Sequence, residues 1–64
     1  MSKYSYDNYP DSVKNFHEDV RNKAIDRMNE HLKEGMNEPG AIAKGISEAE
    51  EWAKDEGKPI KKDD

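Results

Sequence analysis

The stretch GAIAKGIS, residues 40–47, contains the residue types that a phosphate-binding loop uses: two glycines, a lysine and a serine. In that loop the lysine directly follows the second glycine, and the loop connects a buried strand to a helix. Here Ile46 follows the second glycine, Lys44 precedes it, and no β-branched run comes before Gly40. The stretch is therefore interpreted as helix, in which Gly45 lets a facing helix approach closely.

Histidines and serines offer no catalytic or metal-binding constellation. His17 and His31 lie about 20 Å apart along one predicted helix, which is too far to share a metal ion. His31 with Glu30 or Glu34 supplies two ligands at most, so this histidine is interpreted as solvated or as a helix cap. No histidine is placed to activate a serine, and the sequence has neither threonine nor cysteine. We therefore expect no catalytic residue, no metal, no cofactor and no enzymatic activity.

The side chains that suit contact with a partner are aromatic or basic, and they are Tyr4, Tyr6, Tyr9, His17, Arg21 and Trp52. Arg21 falls within the apolar arc of its helix. Its stem is expected to lie along the core, with the guanidinium stacked on Trp52 or a tyrosine, or paired with a carboxylate such as Asp11. The alternative is a contact with an anion or a partner. The three tyrosines are interpreted as a lid over the open side of a helix pair, with stacking on bases as the alternative.

Helices must position these side chains. Pro10-Asp11-Ser12 predicts the start of a short helix that carries Val13 and Phe16. A longer helix is predicted over residues 17–34, because apolar residues recur there at three- and four-residue steps. These residues are Val20, Ala24, Ile25, Met28 and Leu32.

Gly35 is placed to end this helix in the left-handed conformation, and Asn37 to cap a second helix that ends near Gly57. The short connection predicts antiparallel neighbours, in which facing residue numbers add up to about 72 and Met28 meets Gly45. The predicted fold is all-α: a short N-terminal helix plus an antiparallel two-helix hairpin, which together form a three-helix mini-domain. Residues 1–9 are expected to be an extended segment, residues 10–57 the helical domain, and residues 58–64 a disordered tail.

Composition sets limits on the class of protein. Only 8 of 64 residues are Leu, Ile, Val or Phe, so the core must be small. The net charge of −4 and the acidic second half make nucleic acid an unlikely partner. No apolar run reaches the length of a signal peptide or a membrane span, and a cytoplasmic location is expected.

Three runs, YPDSVKNF, VRNKAIDRMNEHLKEG and AIAKGISEAEEW, carry a resemblance to a group of small bacterial proteins, the N-terminal domain of the YdaT type. The matching positions span most of residues 9–53. The run PDSVKN is more distantly similar to the ChaB family, described as regulators of cation transport. Phe16, His17 and the pair Glu30-His31 depart from the YdaT-type pattern and make the first helix more polar. The resemblance implies a compact helical module, with no catalytic residues to carry over.

The sequence thus predicts a non-catalytic protein-interaction or regulatory module. Because the core is thin, an unknown protein partner or a second copy in a homodimer is expected to cover remaining apolar surface. The alternative is a regulator associated with nucleic acid through one side of the first long helix. That side would comprise Lys14, Arg21, Lys23 and Arg27.

Overall fold

The computed structural model describes residues 2–62. One 3-10 turn, Asp11–Val13, precedes two α-helices, α1 (Glu18–Lys33) and α2 (Glu38–Asp55). Residues 2–62 contain no strand, only isolated bridges between Ser5 and Asn8 and between Phe16 and Lys61. The all-α class is confirmed. The structure does not establish a three-helix arrangement, because the predicted first helix is a single 3-10 turn.

This first turn is short because the chain on both sides is extended. Pro10 precedes it at φ −63° and ψ 145°, and its carbonyl accepts a hydrogen bond from the Val13 amide at 3.2 Å. Three residues later Phe16 forms a bridge with Lys61, which requires extended backbone. The turn therefore ends before it can become an α-helix, and Val13 and Phe16 are left buried.

The connection between the two helices follows the predicted capping pattern. Gly35 has φ 100°, the left-handed conformation that glycine adopts most easily, and the Met36 amide donates to the His31 carbonyl at 3.0 Å. The chain thus reverses its direction between the end of α1 and the start of α2. The Asn37 side chain then accepts a hydrogen bond from the Gly40 amide at 2.8 Å, which caps the start of α2.

The core lies where α1 and α2 pack side by side. From α1 it takes larger apolar side chains, while α2 contributes small residues, so the two backbones come close. Apart from His31, the buried residues are Val20, Ala24, Ile25 and Met28 from α1 and Ala41, Gly45, Ala49 and Ala53 from α2. Leu32, expected in the same stripe, is only half-buried.

Residues 58–62 were expected to be disordered, but they lie along the segment that precedes α1. The His17 amide donates to the Ile60 carbonyl and the Lys62 amide to the Asn15 carbonyl, each at 2.8 Å. Ile60 also packs against the core, which gives this tail an apolar anchor that its charged composition conceals. Asp63 and Asp64, the rest of the predicted tail, lie outside the described residues.

Neither helix has the combination of length and apolar character that crossing a membrane requires, within residues 2–62.

Candidate interaction surfaces

Residues 2–9, called the strap below, lie across one edge of α1. The Asn29 side chain bonds both polar groups of the Tyr4 backbone: its Oδ1 accepts from the Tyr4 amide at 3.0 Å and its Nδ2 donates to the Tyr4 carbonyl at 2.9 Å. The Tyr4 ring packs against the core, and its hydroxyl donates to Glu38 at the start of α2. The strap is thereby joined to both helices.

The Tyr4 hydroxyl and the Glu38 carboxylate shift each other's pKa. Their hydrogen bond, with a smaller contribution from burial, raises the pKa of Tyr4 to about 12. The same bond, together with Lys3, lowers the pKa of Glu38. Since both shifts favour a neutral phenol beside an ionised carboxylate, the pair is in its bonded form across the neutral range.

Tyr6 lies at the tip of a turn within the strap. The Ser5 and Asn8 backbones close this turn by exchanging hydrogen bonds at 3.0 and 3.1 Å. The Tyr6 hydroxyl donates to Asp26 Oδ1 at 2.8 Å, but the residue remains 49% exposed. Among the three tyrosines, Tyr4 and Tyr9 therefore act as the predicted lid and pack against the core, whereas Tyr6 lies outside it.

Arg21 stacks on Tyr9. Its guanidinium carbon lies 4.9 Å from the Tyr9 ring centroid, Nη1 lies 3.4 Å from the Tyr9 hydroxyl, and the side chain is only 13% exposed. This is the tyrosine stacking that the sequence predicts, and neither Trp52 nor Asp11 takes that place. The stem of Arg21 thus covers the ring that closes the core at this edge.

Trp52 belongs to α2 and lies beside the edge of α1 opposite to Arg21. Two lysine ammonium groups face its ring. Lys23 Nζ lies 5.4 Å and Lys58 Nζ 5.6 Å from the indole centroid, within the range of cation–π attraction. Lys58 is held there by Asp19, at 3.2 Å, and this contact lowers the pKa of Asp19. Trp52 packs against the core but stays half-buried. Trp52, Lys23 and Lys58 are called the Trp52 patch below.

His31 was interpreted as solvated or as a cap, and this is wrong, because the residue is 4% exposed. Its Nε2 lies 2.7 Å from Glu48 on α2, and its Nδ1 lies 3.3 Å from Glu34. Arg27 donates to the same Glu48 carboxylate from Nε at 2.9 Å. Hydrogen bonds from Arg27 and then from His31 lower the pKa of Glu48 to about 2. The histidine is therefore buried because α2 supplies its partner.

His17 caps α1 through its backbone. Its carbonyl accepts from the Arg21 amide at 2.8 Å, and its amide is bonded by the tail. Within residues 2–62 no cluster of three or more histidine or acidic side chains is suited to hold a metal ion.

The six candidate residues do not form one site. Tyr9 and Arg21 meet, Tyr4 and Tyr6 share the strap, and Trp52 lies apart on the other edge. The supposed basic side of α1 is likewise divided. Arg21 and Lys23 are two residues apart, about 200° around the helix axis, and they cover different aromatic rings.

Asn29, Glu38 and Glu48 each hold two segments together, and the sequence analysis gave none of them this role. Glu48 had a detectable signal, because the antiparallel register brings it near Arg27 on the facing helix. Asn29 and Glu38 had none, since their partner is a strap residue whose path no periodicity predicts.

Comparison with known proteins adds a family relationship. Over 50 residues the chain is 46% identical to "Uncharacterized protein YdaT" of Bacillus subtilis (strain 168). The alignment covers 78% of this chain and 33% of YdaT, so the chain spans about one third of that relative's length. No family model and no solved structure matches the chain. The distant likeness to the ChaB family stays a prediction, whereas over the aligned residues the chain is a YdaT-like protein, as its motifs indicate.

Proposed function

We propose that this chain is a non-catalytic protein-interaction module that contacts its partner through the Trp52 patch. The observation that carries the proposal is a half-buried indole faced by two ammonium groups. Tryptophan is enriched among the residues that dominate binding energy at protein interfaces. An indole already packed on one side also loses little conformational freedom when a partner covers the other side.

Other aromatic side chains support the choice of this patch, because the fold uses them internally. Tyr4 and Tyr9 pack against the core. The Tyr4 hydroxyl donates to Glu38, and the Tyr9 ring stacks against Arg21. A partner would have to displace part of the strap to reach them. Trp52 lies away from the strap, so a partner reaches its ring by moving only the Lys23 and Lys58 side chains.

A non-catalytic role is supported by the causes of the lowered carboxylate pKa values. Enzymes shift pKa values at clefts to prepare acids and bases. Here each shift arises from a contact between two segments: Glu48 with Arg27, Glu38 with Tyr4, and Asp19 with Lys58. The proposal therefore includes no enzymatic activity and no cofactor. The cytoplasmic location expected from the sequence is kept as part of the proposal.

Nucleic-acid association through Lys14, Arg21, Lys23 and Arg27 has less support. A phosphate-binding surface needs cations grouped on one side. Arg27 is bonded to Glu30 and Glu48, while Arg21 and Lys23 lie on different edges of α1. Binding to DNA or RNA that weakens steeply with salt would nevertheless favour this alternative.

Affinity capture tests the proposed function. We expect the wild-type chain to retain a defined protein from a native lysate, and Trp52→Ala to reduce its yield at least tenfold, about the effect of losing a dominant interface residue. Tyr6→Phe is the matched control, because it alters an exposed aromatic residue elsewhere and should retain the same protein. Equal capture by Trp52→Ala, with its helical circular dichroism intact, would contradict the role of the patch.

A further inference from the structure

The Asn29 clamp on the strap recognises backbone rather than side chain. One carboxamide accepts from the Tyr4 amide and donates to the Tyr4 carbonyl, so it acts as a short β-bridge to an extended segment. Any extended segment with a free backbone amide and carbonyl at this spacing can form the same pair of hydrogen bonds.

Around this clamp lies a shallow groove on α1, which the strap occupies. Ile25 is fully buried where the strap crosses α1, and an open, shallow depression lies between Tyr4, Tyr6 and α1. Asp26 beside this depression accepts a hydrogen bond from the Tyr6 hydroxyl, and Glu38 at the start of α2 accepts one from the Tyr4 hydroxyl. The groove therefore combines a backbone clamp, an apolar floor and two carboxylates spaced for a Tyr-x-Tyr segment.

Nothing in the contacts of Tyr4 and Tyr6 requires these two residues and the groove to belong to one molecule. The turn from Ser5 to Asn8 is closed by the strap's own backbone, so it can move with the strap. The strap joins the rest of the chain at Pro10, which is extended and not part of a helix. A strap from another copy would bring the same donors, acceptors and rings.

We propose that this groove, formed by Ile25, Asp26, Asn29 and Glu38, accepts the strap of a second copy of the chain and so forms a strap-exchanged dimer. This surface is separate from the Trp52 patch and does not depend on it. Because the strap is joined to the rest of its own chain by a short connection, its effective concentration at the groove is on the order of millimolar. Exchange is therefore expected at high protein concentration, or once the chain's own strap is weakened.

The test uses a fluorescent peptide of residues 2–9 and the full-length chain, followed by fluorescence anisotropy. Tyr4→Phe in the chain removes the bond to Glu38 from its own strap, while the added peptide keeps its hydroxyl. We expect this chain to bind the wild-type peptide at least about threefold more tightly than the wild-type chain does. Trp52→Ala should bind the peptide as the wild-type chain does.

A second peptide isolates the Asn29 clamp. Methylation of the Tyr4 amide nitrogen in the peptide removes the donor to Asn29 Oδ1 and leaves the chain's own strap unchanged. Binding to the Tyr4→Phe chain should weaken at least about threefold, the usual effect of one lost hydrogen bond. Equal affinity for both peptides, or no saturable binding to the Tyr4→Phe chain at millimolar peptide, would overturn the proposal.

Discussion

At Gly45 the backbone of α2 lies close to the backbone of α1. A β-carbon built at this position would lie 2.7 Å from Met28 Cγ and 3.0 Å from the Ala24 carbonyl oxygen. Neither contact relaxes easily, because Cγ lies near the start of a fully buried side chain and the carbonyl belongs to the backbone of a helix. The sequence predicted this contact, because the antiparallel register places Gly45 opposite Met28.

We expect Gly45→Ala to destabilise the protein. The substitution gains about 1 kcal/mol of helix propensity, but overpacking of a core contact costs typically about 1–3 kcal/mol. The net effect should therefore be a loss of up to about 2 kcal/mol in the free energy of unfolding, measured by urea denaturation. Ser47→Ala, on the exposed side of α2, is the control and should not destabilise. A Gly45→Ala chain more stable than the wild type would contradict the close approach.

His31 shows what sequence reasoning missed at the same scale. With acidic neighbours at Glu30 and Glu34, this residue was interpreted as solvated or as a helix cap. It is buried because an oxygen of Glu48, on α2, lies 2.7 Å from its ring. Glu48 is 17 positions further along the chain. Burial of a polar group depends on such a partner, and single-helix periodicity contains no information about it.

At the scale of elements, local signals set the ends of both helices. Asn37 caps α2 and Gly35 adopts φ 100° after α1, and the sequence predicted both. No local signal in the sequence predicted where the strap and the tail lie. They have no periodicity, and their positions depend on Asn29 and Ile60, which bind them to segments distant in sequence.

Removal of the cap tests the start of α2. Asn37→Ala leaves the Gly40 amide without its acceptor, and we expect a loss of about 1 kcal/mol in the free energy of unfolding. Asn37→Ser, which keeps an acceptor oxygen, should recover most of that stability. Thermal denaturation followed by circular dichroism at 222 nm measures both, and an unchanged melting temperature for Asn37→Ala would show that the cap contributes nothing.

At the scale of the whole molecule, three carboxylates with lowered pKa values each join two segments. Glu48 joins α2 to α1, Glu38 joins α2 to the strap, and Asp19 joins α1 to the tail through Lys58. Each contact requires the ionised carboxylate. Protonation therefore weakens each of the three connections as pH falls below the ordinary pKa of its carboxyl.

Stability should accordingly fall in acid. A carboxyl whose pKa is lower in the folded chain stabilises it above its ordinary pKa, and this stabilisation is lost as pH falls through the folded value. For Glu48 that range runs from its ordinary 4.5 down to about 2. We expect the urea midpoint to decrease across this range, and Glu48→Gln to make the decrease shallower. Glu51→Gln, an exposed carboxylate on the same helix, should follow the wild-type curve, and a wild-type midpoint constant to pH 2 would contradict the prediction.

The sequence by itself determined the two long helices, their caps, their antiparallel register and the close approach at Gly45, because these depend on neighbours within a few residues or on one short turn. Only the tertiary structure decided where the strap and tail lie and why His31 is buried. It also decided which aromatic residues pack against the core and which are exposed. Those features depend on pairs such as Asn29 with Tyr4 and Glu48 with His31, whose members are 25 and 17 positions apart. Hydrogen bonds between distant segments leave no periodic signal in a single chain, so only the folded arrangement shows them.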